Sequence, residues 1–172
     1  MKKYILLPLL AGSVILTGCG KKQEAAAPAA SAPAATTAPA APAAPVVAIF
    51  EVTANDAMKF NLTRLEVKAG QDVKLTLVNM GTLPKAAMGH NLVVLKKGVD
   101  TKAFSDAAVM AAATEYVPAA LADQVIAHTK LLGPKQSEEL NFKAPTEPGE
   151  YVYLCTFPGH FLSGMKGVLV VQ

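Results

Sequence analysis

From Val47 onward, apolar and polar residues alternate over short stretches of the chain. Leu65-Glu66-Val67 and Val73-Lys74-Leu75-Thr76-Leu77 carry the two-residue period of half-buried strands, and Ala69-Gly70-Gln71 makes the turn between them. Runs over 91–95, 125–132, 139–143, 150–157 and 165–171 predict further strands, with Pro145 and Pro148-Gly149 as punctuation. Roughly eight short strands separated by turn signals predict an all-β domain, an antiparallel Greek-key sandwich. One stretch departs from the strand period. Residues 105–115 are rich in alanine behind Ser105, a residue able to cap, and predict a single short helical insertion between strands.

The residues before the strand pattern read as targeting and tether. Lys2-Lys3 followed by an apolar run from Tyr4 to Leu16 has the form of a signal peptide, too short to span a bilayer comfortably. It closes on Leu16-Thr17-Gly18-Cys19, which resembles the lipobox of bacterial lipoproteins and implies cleavage after residue 18 and lipidation of Cys19. Buried acyl methylenes contribute about 0.8 kcal/mol each, so several chains would hold the protein stably on a membrane. The competing reading is an ordinary signal peptide with an incidental cysteine. The expected divisions are a leader over 1–18, a lipidated tether over 19–46 and a globular domain over 47–172. Within the tether, Pro28, Pro33, Pro39, Pro42 and Pro45 interrupt an alanine-rich segment that would otherwise favour helix. Its composition cannot offset ordering entropy, so it is expected to be disordered and semi-extended, reaching on the order of 60 Å at about 3.1 Å per residue.

Charge narrows the class of partner. The formal charge is +3, but setting aside Lys2, Lys3, Lys21, Lys22 and Glu24 leaves the remainder with no net charge. A nucleic-acid partner has no electrostatic footprint in such a domain. The two cysteines, Cys19 and Cys155, do not suggest a disulfide framework.

Candidate chemistry gathers near the C-terminus. Cys155, His160 and Met165 are spaced five apart in Tyr153-Leu-Cys155-Thr156-Phe157-Pro158-Gly159-His160-Phe161-Leu-Ser-Gly164-Met165, and His90 lies upstream in Met88-Gly89-His90-Asn91. Two imidazoles and a thiolate in a trigonal set, with a weak axial thioether, make the ligand set of a blue-copper electron-transfer site. Separately, Cys155 reads as a small buried apolar residue and Met165 as a core residue. The combination with His90 and His160 turns both into ligands. The remaining histidine, His128, has no companion donor and is expected on an exposed strand surface.

These motifs resemble a known family. Met88-Gly89-His90-Asn91, Ile126-Ala-His128-Thr-Lys-Leu131, Cys155-Thr-Phe-Pro-Gly-His160 and Asn55-Asp-Ala-Met-Lys-Phe-Asn61 are similar to azurin, a cupredoxin, over about 47–172. Where azurins place three residues between the second histidine and the methionine, this chain has four, 161–164, and Gly164-Met165-Lys166-Gly167 looks more like auracyanin. The subfamily stays open between the two, and the disulfide near the start of azurins has no counterpart. The resemblance implies one type 1 copper per chain, a possible backbone-carbonyl contact from Gly89, and a helix where residues 105–115 fall. It further implies that the side chains of Asn91 and Thr156 link the ligand loops, that the Asn91 N–H bonds the thiolate, and that His160 shows a ring edge to a redox partner. An apolar docking patch would comprise Met88, Phe157, Pro158 and Phe161. Phe157 and Phe161 could equally pack beneath the loop.

No nucleophile triad or acid–base carboxylate pair accompanies the constellation, and three histidines are too few for a multicopper cluster. The expected function is therefore not enzymatic. It is single-electron transfer between a protein donor and acceptor, by a lipoprotein on the periplasmic side of a bacterial membrane or the cell surface. The outer membrane is expected if the host is Gram-negative. Copper storage or delivery is the alternative, and a scaffold lipoprotein that kept the sandwich is a more distant one.

Overall fold

A computed structural model describes residues 46–172; the expected leader, Cys19 and nearly all of the tether lie outside the described residues. Strand β1 (Ala48–Asn55) lies between β2 (Lys59–Phe60) and β4 (Asp72–Asn79), and β7 (Ser137–Lys143) completes this four-stranded sheet. The second sheet has five strands in the order β3 (Arg64–Val67), β9 (Lys166–Val171), β8 (Gly149–Leu154), β5 (Val93–Leu95), β6 (Val125–His128). Every second residue of β4 is buried, and Val73, Leu75 and Leu77 meet Tyr151, Tyr153, Leu169 and Val171 of the facing sheet in one core. The sandwich expected from the alternation is present.

Strand direction differs from the expectation. Both sheets are mixed, because β1 runs parallel to β4 and β3 parallel to β9. Alternation reports which face a residue occupies and carries no information about the direction of its neighbour. Here β2 and β3 carry the chain away from β1 before β4 returns beside it, and such a crossover aligns the two strands in parallel.

The helical insertion also differs in detail. Helix α2 is Thr101–Val109, capped by Asp100, whose carboxylate accepts from the backbone N–H groups of Lys102 and Ala103 at 3.0 Å each. Ser105, the expected cap, is buried inside the helix, and Asp100 wins because it satisfies two of the free N–H groups at once. Phe104 of α2 packs with Val93, Leu95 and Leu154 in a second cluster, while Val94 joins the main core. Strand β5 is therefore buried on both faces, which accounts for its unbroken apolar run. A four-residue helix, α1 (Lys85–Met88), precedes His90 and was not expected.

Candidate metal centre

Cys155 directly follows β8, whose backbone is fixed by pairing with β5 and β9. The chain then winds through hydrogen-bonded turns, with His160 N–H donating to Phe157 O at 3.1 Å and Met165 N–H to His160 O at 3.0 Å. The Cys155 N–H donates to Met165 O at 3.1 Å, which closes the loop on itself. His90 is held by a separate bridge, its N–H donating to Leu132 O at 3.1 Å and its carbonyl accepting from Leu132 N–H at 2.8 Å. Gly89 brings the end of α1 against this bridge. A Cβ there would lie 2.7 Å from Lys85 O and 2.8 Å from Leu131 Cγ, so only glycine fits the approach.

These supports bring together three of the four expected donors with ligand atoms within 4.8 Å of one another. The Cys155 sulfur lies 3.3 Å from His160 Nδ1 and 4.0 Å from His90 Nδ1. The two imidazole centroids are 4.9 Å apart. His90 and Cys155 are fully buried, and so is Met165. His160 is only 2 % exposed, less than the open ring edge implied by the family resemblance. The turns of the 155–165 loop fold around the ring, and Phe157 packs on it with centroids 4.8 Å apart.

Burial sets the protonation of the set. It pushes the Cys155 thiol up to about 12, against the pull of the Asn91 and Phe157 backbone N–H groups. It lowers His160 to about 4, helped by the adjacent His90, and lowers His90 against the opposing influence of Asp56 and the Asn55 backbone. At neutral pH without metal the three groups are thus uncharged. His90 Nε2 is buried without a hydrogen-bond partner among the described residues. A buried cluster of a soft sulfur and two neutral imidazoles is suited to a cation that takes the place of the thiol proton. The donor set fits a single type 1 copper.

The link expected between Asn91 and Thr156 is present. Asn91 Oδ1 accepts from Thr156 N–H at 2.9 Å, and its Nδ2 donates to Thr156 Oγ1 at 2.8 Å. Both side chains are buried, so each bond holds the His90 and Cys155 segments at fixed separation. His128 is exposed, as expected for a strand histidine outside the centre.

A third member of this network had no signal in the sequence. Glu115 and Tyr116 adopt left-handed backbone conformations in succession, with φ 55° and 64°. Two non-glycine residues in this region cost roughly 1–2 kcal/mol each. Their surroundings fix them there. The Glu115 carbonyl accepts from Asn91 Nδ2 at 3.1 Å, its carboxylate accepts from Leu131 N–H and Lys85 Nζ at 3.1 Å each, and Tyr116 sits edge-on to Phe157. Burial opposes ionisation of Glu115, but the bonds from Lys85 and Leu131 outweigh it and hold the carboxyl below its ordinary value. A depressed carboxylate contributes stability above its unfolded-state pKa and loses it as pH falls through the folded value. Glu115→Gln is expected to destabilise the metal-free protein by under about 1 kcal/mol at neutral pH, because the side chain is 40 % exposed, with the gap closing in acid. Urea unfolding across pH measures it, and a gap independent of pH would assign the loss to shape instead of charge.

The expected docking residues divide. Phe157 is buried against His160 and Tyr116, which leaves it no surface to offer, whereas Met88, Pro158 and Phe161 are half-buried. Large exposed apolar side chains on the neighbouring segments are Met80, Leu83 and Leu162. Alternation had no bearing on them, because they lie in turns between strands.

The family model for copper binding proteins, plastocyanin/azurin family, matches residues 47–172. Outer membrane protein H.8 of Neisseria meningitidis serogroup B is 45 % identical over 111 residues, covering 63 % of this chain. The chain spans about 60 % of the length of that relative. Azurin of Alcaligenes faecalis is 36 % identical over 121 residues, 69 % of this chain and 93 % of the azurin. Among solved structures, dithionite-reduced auracyanin of Roseiflexus castenholzii superimposes with a TM-score of 0.65 at 36 % identity, covering 72 % of this chain and 96 % of the auracyanin. With the cupredoxin sandwich and the His90–Cys155–His160 cluster in place, the chain belongs to the plastocyanin/azurin family of copper binding proteins.

Proposed function

We propose that the protein is a membrane-tethered electron carrier that passes single electrons between protein partners of the bacterial cell envelope. His90, Cys155 and His160 would hold a type 1 copper, with Met165 as the weak axial ligand and the Gly89 carbonyl as a further backbone contact. Bound copper supplies the one-electron couple. The observation that carries the reading is the convergence of three buried donors on loops strapped together by Asn91 and Thr156. A site whose ligands cannot relax suits an ion that changes oxidation state and stays bound. It suits release poorly, and copper delivery needs release.

The remaining residues serve the same end. Phe157, packed on His160, keeps water from the cluster, and the apolar Leu162 and Pro158 flank the histidine in sequence at the surface. A partner that desolvates such a surface approaches closely with little loss of hydration. Cys19, at the end of a leader, is proposed as the lipid attachment point. The alanine- and proline-rich residues after it would keep the domain clear of the bilayer. The purified protein is expected to be intensely coloured when oxidised, to bleach on reduction, and to recover its colour through repeated cycles with its copper retained. Loss of copper into a chelator at each reduction would favour delivery. The mass of the mature protein is expected to include acyl chains at Cys19; an unmodified Cys19 would remove the anchor.

A further inference from the structure

Three lysines converge on the segments around the ligand loop. Lys59 Nζ donates to Ser163 O at 2.6 Å, Lys135 Nζ donates to Met80 O at 2.9 Å, and Lys166 Nζ lies 5.1 Å from the centroid of the Phe161 ring. All three residues are exposed. None forms an ion pair among the described residues, whereas Lys74, Lys85, Lys97, Lys102 and Lys143 each hold a carboxylate. The same contacts place apolar side chains among these charges. Asp56, three residues before Lys59 in one turn, accepts from Thr82 N–H at 2.8 Å and Leu83 N–H at 3.4 Å, tying Leu83 to the turn that touches Ser163. Leu162, 73 % exposed, adjoins Ser163, and Met80, 52 % exposed, carries the carbonyl that Lys135 meets. Asp56 is the one acidic residue in these contacts, and its oxygens are committed to Thr82 and Leu83.

We propose that this face, apolar at Met80, Leu83 and Leu162 and rimmed by Lys59, Lys135 and Lys166, docks a redox protein whose electron-transfer face is ringed by carboxylates. The inference rests on the electron-carrier reading and adds the charge class of the partner. An apolar centre with a polar rim is the anatomy of a protein interface. On a domain with no net charge, long-range steering comes from local asymmetry, and three ammonium groups against the single carboxylate of Asp56 supply it. Their heads rest on main-chain carbonyls or a ring of the ligand loop and its neighbour, so little side-chain entropy remains to be lost on docking. A partner with a lysine-ringed face would be repelled, which adds discrimination to rate.

The experiment follows electron transfer between the full-length copper-loaded protein and two soluble c-type cytochromes, one with carboxylates around its haem edge and one with lysines. With the carboxylate-ringed cytochrome, the rate is expected to fall about tenfold or more between about 0.01 M and 0.1 M ionic strength, as the screening length shrinks from about 30 Å to about 10 Å. With the lysine-ringed cytochrome it should rise. Combining Lys59→Gln, Lys135→Gln and Lys166→Gln should flatten both salt profiles, and the corresponding arginine variants should restore them. A salt-independent rate, or a glutamine variant that behaves as wild type, would overturn the proposal. So would a lysine-dependent preference for phosphatidylglycerol over phosphatidylcholine vesicles that blocks the cytochrome reaction, since the face would then serve an anionic membrane. Colour and reversible reduction are recorded for every variant. Their persistence leaves the electron-carrier reading standing if the charge class fails, and their absence in wild type would sink that reading itself.

Discussion

Cys155→Ser is expected to abolish the colour of the oxidised protein entirely. The intense visible band of a blue-copper centre arises by charge transfer from a thiolate, and a serine oxygen is too hard and too poorly reducing to replace it. Cys155 is the sole cysteine of the 47–172 domain and is fully buried, so no other thiol of that domain can take its place. Serine is close in volume and keeps the N–H bond to Met165 O, which allows the fold to persist. Circular dichroism of the variant should therefore match wild type while its absorption band is gone. Colour retained in a folded, copper-loaded Cys155→Ser protein would overturn the ligand assignment. Met165→Leu separates the axial role from the rest. It keeps the thiolate and both imidazoles, so the band should remain, and loss of the weak thioether should raise the reduction potential. An unchanged potential would leave Met165 as a packing residue of the core cluster it also belongs to.

The parts of the centre that were legible in the sequence are those whose chemistry is local. Cys155, His160 and Met165 are close in the chain, and a thiol, an imidazole and a thioether at such intervals have few other uses. The link between Asn91 and Thr156 was legible only through the family resemblance, since by residue type both could equally be ordinary strand polars. Strand alternation located the core residues of β4, but not the parallel pairing of β1 with β4, which depends on where two distant segments meet. Strand β1 turns Ala48, Phe50, Val52 and Ala54 inward, but the apolar Ile49 on its outer face blurs that alternation in the sequence. Asp100 and Ser105 both have the chemistry of a cap; Asp100 takes the role by accepting from two free N–H groups, which leaves Ser105 inside the helix on its buried side beside Phe104. Glu115 was the least legible. Its place in the network depends on two successive left-handed residues, a conformation that nothing in Thr114-Glu115-Tyr116 favours and that bonds to Asn91, Lys85, Leu131 and the backbone of Ala111 and Ala112 maintain. The burial of His160 was equally hidden, since it follows from turns made by residues 157–165 and not from the identity of the histidine.

The largest loss of stability is expected at Gly167, two residues beyond Met165 in β9. A Cβ at this position would lie 2.3 Å from Cζ and Oη of Tyr153 and 2.7 Å from Thr63 O. None of these atoms has room to yield. The Tyr153 ring has no exposed surface, packs against Phe60 with centroids 5.7 Å apart, and donates its hydroxyl to Leu62 O at 2.7 Å. Thr63 O is tied to β9 by Val168 N–H at 2.9 Å. Relief of the collision must either displace the tyrosine and break its hydrogen bond or part β3 from β9. Overpacking of a dense core costs about 1–3 kcal/mol, and stranding a buried hydroxyl adds about 1–3 kcal/mol. Gly167→Ala is thus expected to destabilise the metal-free domain by roughly 3 kcal/mol or more, read as a lower urea midpoint at unchanged slope. Omitting copper matters, because tight binding to the folded state alone would mask part of the loss. Tyr153→Leu, which removes the colliding atoms, should be destabilising alone yet make Gly167→Ala far less costly in its presence. Additive losses in that double-mutant cycle would show that the strain at Gly167 comes from the Thr63 backbone and not from the tyrosine.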